Sequence, residues 1–96
     1  MDAPFHDLLH TLREARRAIA AELNQQLDAR PLNIGVLLKL HAAAAELDRQ
    51  TERLVKMMQD QEAQEVWVQE AVKLRAFFEV TADEIALVLA SEQEEG

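Results

Sequence analysis

Cysteine and tyrosine are absent from this 96-residue chain, and serine occurs once, at Ser91. The lack of cysteine removes disulfides, thiol nucleophiles and Cys-ligated metals. With one serine near the C-terminal end and no glycine-rich phosphate loop, nucleophilic catalysis and nucleotide binding lack their usual parts. Two glycines and two prolines are too few for a β-rich or loop-rich design. No apolar run reaches the ~18 residues of a membrane helix, and the N-terminal MDAPFHDLL has neither a basic leader nor a continuous apolar core. The expectation is a soluble, cytoplasmic protein with no membrane partner.

What the chain does contain is helix-forming material. Hydrophobic residues make up 49% of it with only one Trp and three Phe, so the apolar content is mostly Ala, Leu and Val, suited to helices packed on helices. A domain of this length buries only roughly 60–65% of its unfolded surface, so its core is thin and sharing it with a second copy is a common solution. The formal net charge is −8. Residues 1–58 contribute nothing to it: Asp2, Asp7, Glu14, Glu22, Asp28, Glu46, Asp48 and Glu52 cancel Arg13, Arg16, Arg17, Arg30, Lys39, Arg49, Arg53 and Lys56. In residues 59–96 only Lys73 and Arg75 oppose the remaining acids. That half would be repelled by nucleic acid and attracted by a basic protein surface, or it serves only solubility.

Along the chain, Asp2 as N-cap and Pro4 in the first turn predict a helix over about 3–28, with Phe5, Leu8, Leu9, Leu12, Ile19, Leu23 and Leu27 on one face. Arg16 interrupts that face and must either be paired or extend its head to solvent. Ala29-Arg30-Pro31-Leu32 ends the helix, since Pro31 cannot continue the hydrogen-bond ladder, and Asn33 caps the next one, about 34–58. So short a connection predicts an antiparallel hairpin. The second helix buries Val36, Leu37, Leu40, Ala43, Ala44, Leu47, Thr51, Leu54, Val55 and Met58, with leucines 40, 47 and 54 at heptad spacing. Alanines 42–45 either admit a neighbouring backbone closely or simply favour helix.

Beyond Met58 the stripe lapses through Gln59, Asp60, Gln61, Glu62, Ala63, Gln64 and Glu65, none of them a turn-former. A third helix over about 62–79 is expected, continuous with the second or, by a slight preference, bent back from it. Trp67, Val68, Ala71, Val72, Leu74 and Phe78 restore an apolar pattern that Val66 and Phe77 widen beyond one seam, and a continuous rod would leave it uncovered. Val80-Thr81-Ala82-Asp83-Glu84-Ile85 reads as a capping box with a hydrophobic staple, which predicts a short capped helix over 82–91 and a frayed acidic tail at 91–96. A helix-turn-helix reading of 66–90 fails because ADEIALVLASE offers no basic or amide side chain to bases.

The remaining motifs are sparse. His6, His10 and Glu14 share one flank at spacings that could hold a divalent metal, but Arg13 and Arg17 share it too. The arginines 13, 16 and 17 with His10 form the one compact basic cluster, without aromatics to stack on bases, so an acidic helix suits it better than nucleic acid. His41 is placed as a phosphotransfer histidine would be, but Ala44 and Ala45 stand where such domains carry Lys and Gly. No Glu-x-x-His pair for a diiron site occurs, and no cofactor is expected.

The resulting expectation is a single all-α domain over residues 1–96, a bundle completed by oligomerisation. It would act without catalysis, as an adaptor, small regulator or assembly factor, with partners being a second copy and another protein and no direct nucleic-acid contact. Expected interface residues are Arg16, Trp67, Val68, Ala71, Leu74 and Phe78, and the expected acidic surface is Asp60, Glu62, Glu65 and Glu70. The alternative is an acidic inhibitor or nucleic-acid mimic that occupies a basic site on a partner. A phosphotransfer or metal-binding bundle ranks third.

Overall fold

The computed structural model describes residues 3–95, and the expected cap at Asp2 lies outside them. Three helices follow one another: α1, Ala3–Asp28; α2, Ile34–Asp60; and α3, Glu65–Glu95. No strand occurs among the described residues. The helices run up, down and up, because Phe5 near the start of α1 meets Met58 at the end of α2 and Val68 at the start of α3, while Leu23, Leu37 and Ile85 meet at the other end. The result is an elongated three-helix bundle of 52 × 20 × 16 Å.

The α1–α2 connection is built from the residues that predicted it. Arg30 Nη1 donates to the carbonyls of Leu27 and Ala29, both at 2.7 Å, satisfying acceptors that the last turn of α1 would leave open. Asn33 Oδ1 accepts from the Val36 amide at 3.2 Å and caps α2.

The α2–α3 connection is a break at residues 61–64, so the second and third helices are separate. Glu62 adopts φ 54°, the left-handed region that glycine normally occupies at a helix C-terminus. Around it the Ala63 amide donates to Met58 O at 2.8 Å and the Glu62 amide to Gln59 O at 3.2 Å, the paired bonds of a Schellman motif. Ala63 also packs against the cluster containing Met58, the apolar contact that accompanies such a stop.

The fourth helix of the sequence reading does not exist. Thr81 is buried in the interior of α3 rather than capping a new helix, and the helix runs unbroken to Glu95. The reason is a stripe that crosses the proposed break: Leu74, Phe78, Thr81, Ala82 and Ile85 are all buried at spacings of three and four. An N-cap contributes about 1 kcal/mol. Each large apolar side chain held inside contributes about 1.5–3 kcal/mol, so the stripe outweighs the cap. The expected tail is likewise helical through Glu95, with Gly96 outside the described residues.

Two apolar clusters fill the bundle. The larger joins Phe5, Leu9, Leu12 and Ile19 to Leu54 and Met58 and to Val68, Ala71, Leu74 and Phe78; the smaller joins Leu23, Leu37 and Ile85. Between them the buried residues are small, Ala44 and Thr51 on α2 and Thr81 and Ala82 on α3. Accordingly α2 and α3 form the most closely packed pair, and α1 lies along their seam. The predicted α1–α2 hairpin is present, yet the intimate hairpin is the one after it. Two positions of the α1 and α2 stripes expected inside are on the surface, Leu8 and Ala43, and on α3 Val72 is exposed as well.

Candidate interaction surfaces

Four of the six expected interface residues belong to the subunit's own core. Val68, Ala71, Leu74 and Phe78 are between 0% and 8% exposed, covered by α1 on one side and α2 on the other. A continuous α2–α3 rod would leave this face open to an outside partner; the break at 61–64 lets α2 supply the cover. Trp67 is half-buried, with His6 edge-on to its ring at 5.8 Å and its buried Nε1 lacking a hydrogen-bond partner among the described residues. Arg16 extends to solvent with its guanidinium 5.1 Å from the centre of the Phe77 ring, a cation–π contact that explains how a charge is tolerated beside the stripe.

The acidic residues divide. Asp60, Glu62 and Glu65 are exposed together at the α2–α3 turn, whereas Glu70 turns toward α1 and meets Arg13 Nε at 3.4 Å. Arg75 is engaged as well, its Nε donating to Asp48 Oδ1 at 3.2 Å with Glu52 at 3.9 Å, which ties α3 to α2. Lys73, the other cation of this half, has no ion pair among the described residues.

The histidines are dispersed. His6 faces Trp67 and lies 3.8 Å from Asp7, His10 is exposed, and His41 is partly buried on α2 beside Ala44 and Ala45. No group of three or more His, Asp or Glu side chains is gathered for a metal among the described residues. No helix among them is long and apolar enough to cross a membrane.

Shallow concavities mark the surface of the described residues, and three of them bear on binding. One of about 240 Å³ opens between α1 and α2, where Leu8 and Met57 flank Leu12 and Leu54 and Arg53 forms part of the wall. A second of about 300 Å³ lies at the other end, between Ile34 and Leu38 of α2 and Leu89 of α3. The third, about 260 Å³, is lined by Arg13, Arg16 and Arg17, the basic cluster of the sequence.

The feature that sequence reasoning missed is the outer face of α3. Val66, Val72, Val80 and Leu87 are 61%, 47%, 53% and 71% exposed. Val80 and Leu87 each follow a core residue, Phe78 and Ile85, by two positions, which is about 200° around a helix. This helix is therefore apolar on opposite sides. The signal was present in the repeat of Val66, Val80 and Leu87 at multiples of seven, but it vanishes if a helix is ended at Glu79 and restarted at Ala82. The chain matches no protein-family model, no curated protein and no solved structure.

Proposed function

We propose that this protein is a non-enzymatic helical interaction module, cytoplasmic, that self-associates and acts on another protein as an adaptor, small regulator or assembly factor. The observation that carries the reading is the second apolar face of α3. The three helices already bury a shared core, so Val66, Val72, Val80 and Leu87 are not needed for it. Isolated apolar side chains on a surface are ordinary, whereas several along one face of one helix favour a protein contact. Light scattering at micromolar concentration is expected to give twice the 10.9 kDa chain mass. A clean monomer overturns the self-association.

A second reading has its own support in Asp60, Glu62 and Glu65, which stand exposed at one turn without ion pairs among the described residues. Such a cluster suits a basic site on a partner, as an inhibitor or nucleic-acid mimic would. Binding to a basic protein should then weaken steeply with added salt, and binding indifferent to salt removes this reading.

A further inference from the structure

We propose that the outer face of α3 pairs antiparallel with the same face of a second copy, about a two-fold axis level with residue 78, setting Lys73 against the partner subunit's Asp83. This rests on the self-association proposed above and names the face and register through which it occurs.

The register follows from the stripe itself. Starting at Val66, exposed residues recur at alternating intervals of three and four along the side of α3 opposite the core, the spacing of a helix–helix seam. Read outward from residue 78 in both directions, the stripe is its own complement: Ala76 answers Val80, Lys73 answers Asp83, Gln69 answers Leu87, and Val66 answers Ala90. An isologous antiparallel contact joins those partners twice each, by symmetry.

Charge selects this arrangement over its rivals. Lys73 and Asp83 are both exposed, and neither makes an ion pair among the described residues. Antiparallel pairing brings each to the other's opposite charge. Parallel pairing would set Lys73 on Lys73 and Asp83 on Asp83, which costs. Shape agrees, since small Ala76 and Ala90 face the larger Val80 and Val66 and allow the helices to approach. On the α2 side of the seam Val72 falls beside the partner subunit's Ala86, while Glu79 falls beside its own copy near the axis, a repulsion that moderates the contact. A single helix face of roughly 36 Å, from Val66 to Ala90, buries less than an obligate interface, so the dimer is reversible.

The test uses the full chain in analytical ultracentrifugation, with circular dichroism to verify folding, which these exposed positions do not support. Lys73→Glu and Asp83→Lys are each expected to weaken dimerisation about tenfold or more, and the double exchange to restore it to within about threefold. Zero-length carbodiimide cross-linking is expected to join Lys73 to Asp83 between subunits; within one helix the two are roughly 15 Å apart and cannot be joined. Glu79→Gln is expected to tighten the dimer. A wild-type dimer indifferent to both charge reversals, or single losses without rescue in the double variant, overturns this face and register while leaving self-association intact. A wild-type monomer overturns both.

Discussion

Residues 61–64 and residues 80–84 are the two places after Met58 where the chain could interrupt a helix, and they behave in opposite ways. The first has no glycine, proline or asparagine, yet the helix stops there with Glu62 in a left-handed conformation. The second carries the best local start signal in the chain, yet α3 passes through it. The difference lies in what each stretch could bury. Gln59, Asp60, Gln61 and Glu62 are exposed and offer the core nothing, so bending costs about 1–2 kcal/mol at Glu62 and returns a whole helix to the side of α2. Phe78, Thr81, Ala82 and Ile85 are buried in register, so a break there would forfeit packing worth more than any cap.

The largest effect is expected in the buried stripe that carries α3 past residue 80. Phe78 is fully buried just ahead of the uninterrupted stretch, and Phe78→Ala is expected to cost about 3–5 kcal/mol in urea unfolding. A cost below about 1 kcal/mol would show that the stripe does not hold α3 through residue 81. Ala82→Pro separates the two accounts of the capping motif more sharply. At the first position of a new helix proline is well tolerated, whereas inside a continuous helix it removes a hydrogen bond and clashes, for a loss of about 3 kcal/mol or more. Near-wild-type stability in that variant would restore the capped fourth helix.

Glu62→Gly sharpens the other side. Glycine carries no penalty at φ 54°, so the variant is expected to gain about 1 kcal/mol. A loss of that size would mean a continuous α2–α3 helix, in which glycine is unfavourable. The smallest effect is a control distant from both junctions. Glu46 accepts from Arg49 Nη2 at 2.6 Å and Nε at 3.1 Å and from Gln50 at 3.3 Å, and the Arg49 hydrogen bond above all holds its pKa below the ordinary carboxylate value. A carboxylate with a lowered folded pKa stabilises the fold at neutral pH, and the contribution is lost as pH falls through that value. On the surface this is a slight effect. Glu46→Gln should therefore lower Tm marginally at neutral pH and leave it unchanged well below the carboxylate range; a difference that persists in acid would point to another cause.

The legible parts of the chain were those whose cause is local. Asn33 could be named as a cap because its own side chain reaches the Val36 amide three residues on. Pro31 could be named as a stop because its ring forbids the next turn. The inward stripes of α1 and α2 were readable for the same reason, with Leu8 and Ala43 misplaced at their margins. Of the candidate surface, the exposure of Asp60, Glu62 and Glu65 was anticipated, while Glu70 turned out to be paired with Arg13. Val68, Ala71, Leu74 and Phe78 were recognised as a face that needs covering, but what covers it depends on where α2 ends.

Residue order alone dictates an all-α chain, a tight turn at residues 29–33 that folds α1 against α2, and an excess of negative charge after Met58. Packing between the helices sets the stop of α2 at Asp60, carries α3 through its own start signal, and divides the apolar residues beyond 65 into a buried face and an exposed one. The reason is one of scale. Caps and turn residues are worth about 1 kcal/mol and can be read from neighbours in the chain, whereas the burial of a helical stripe is worth several times that and depends on partners dozens of residues away.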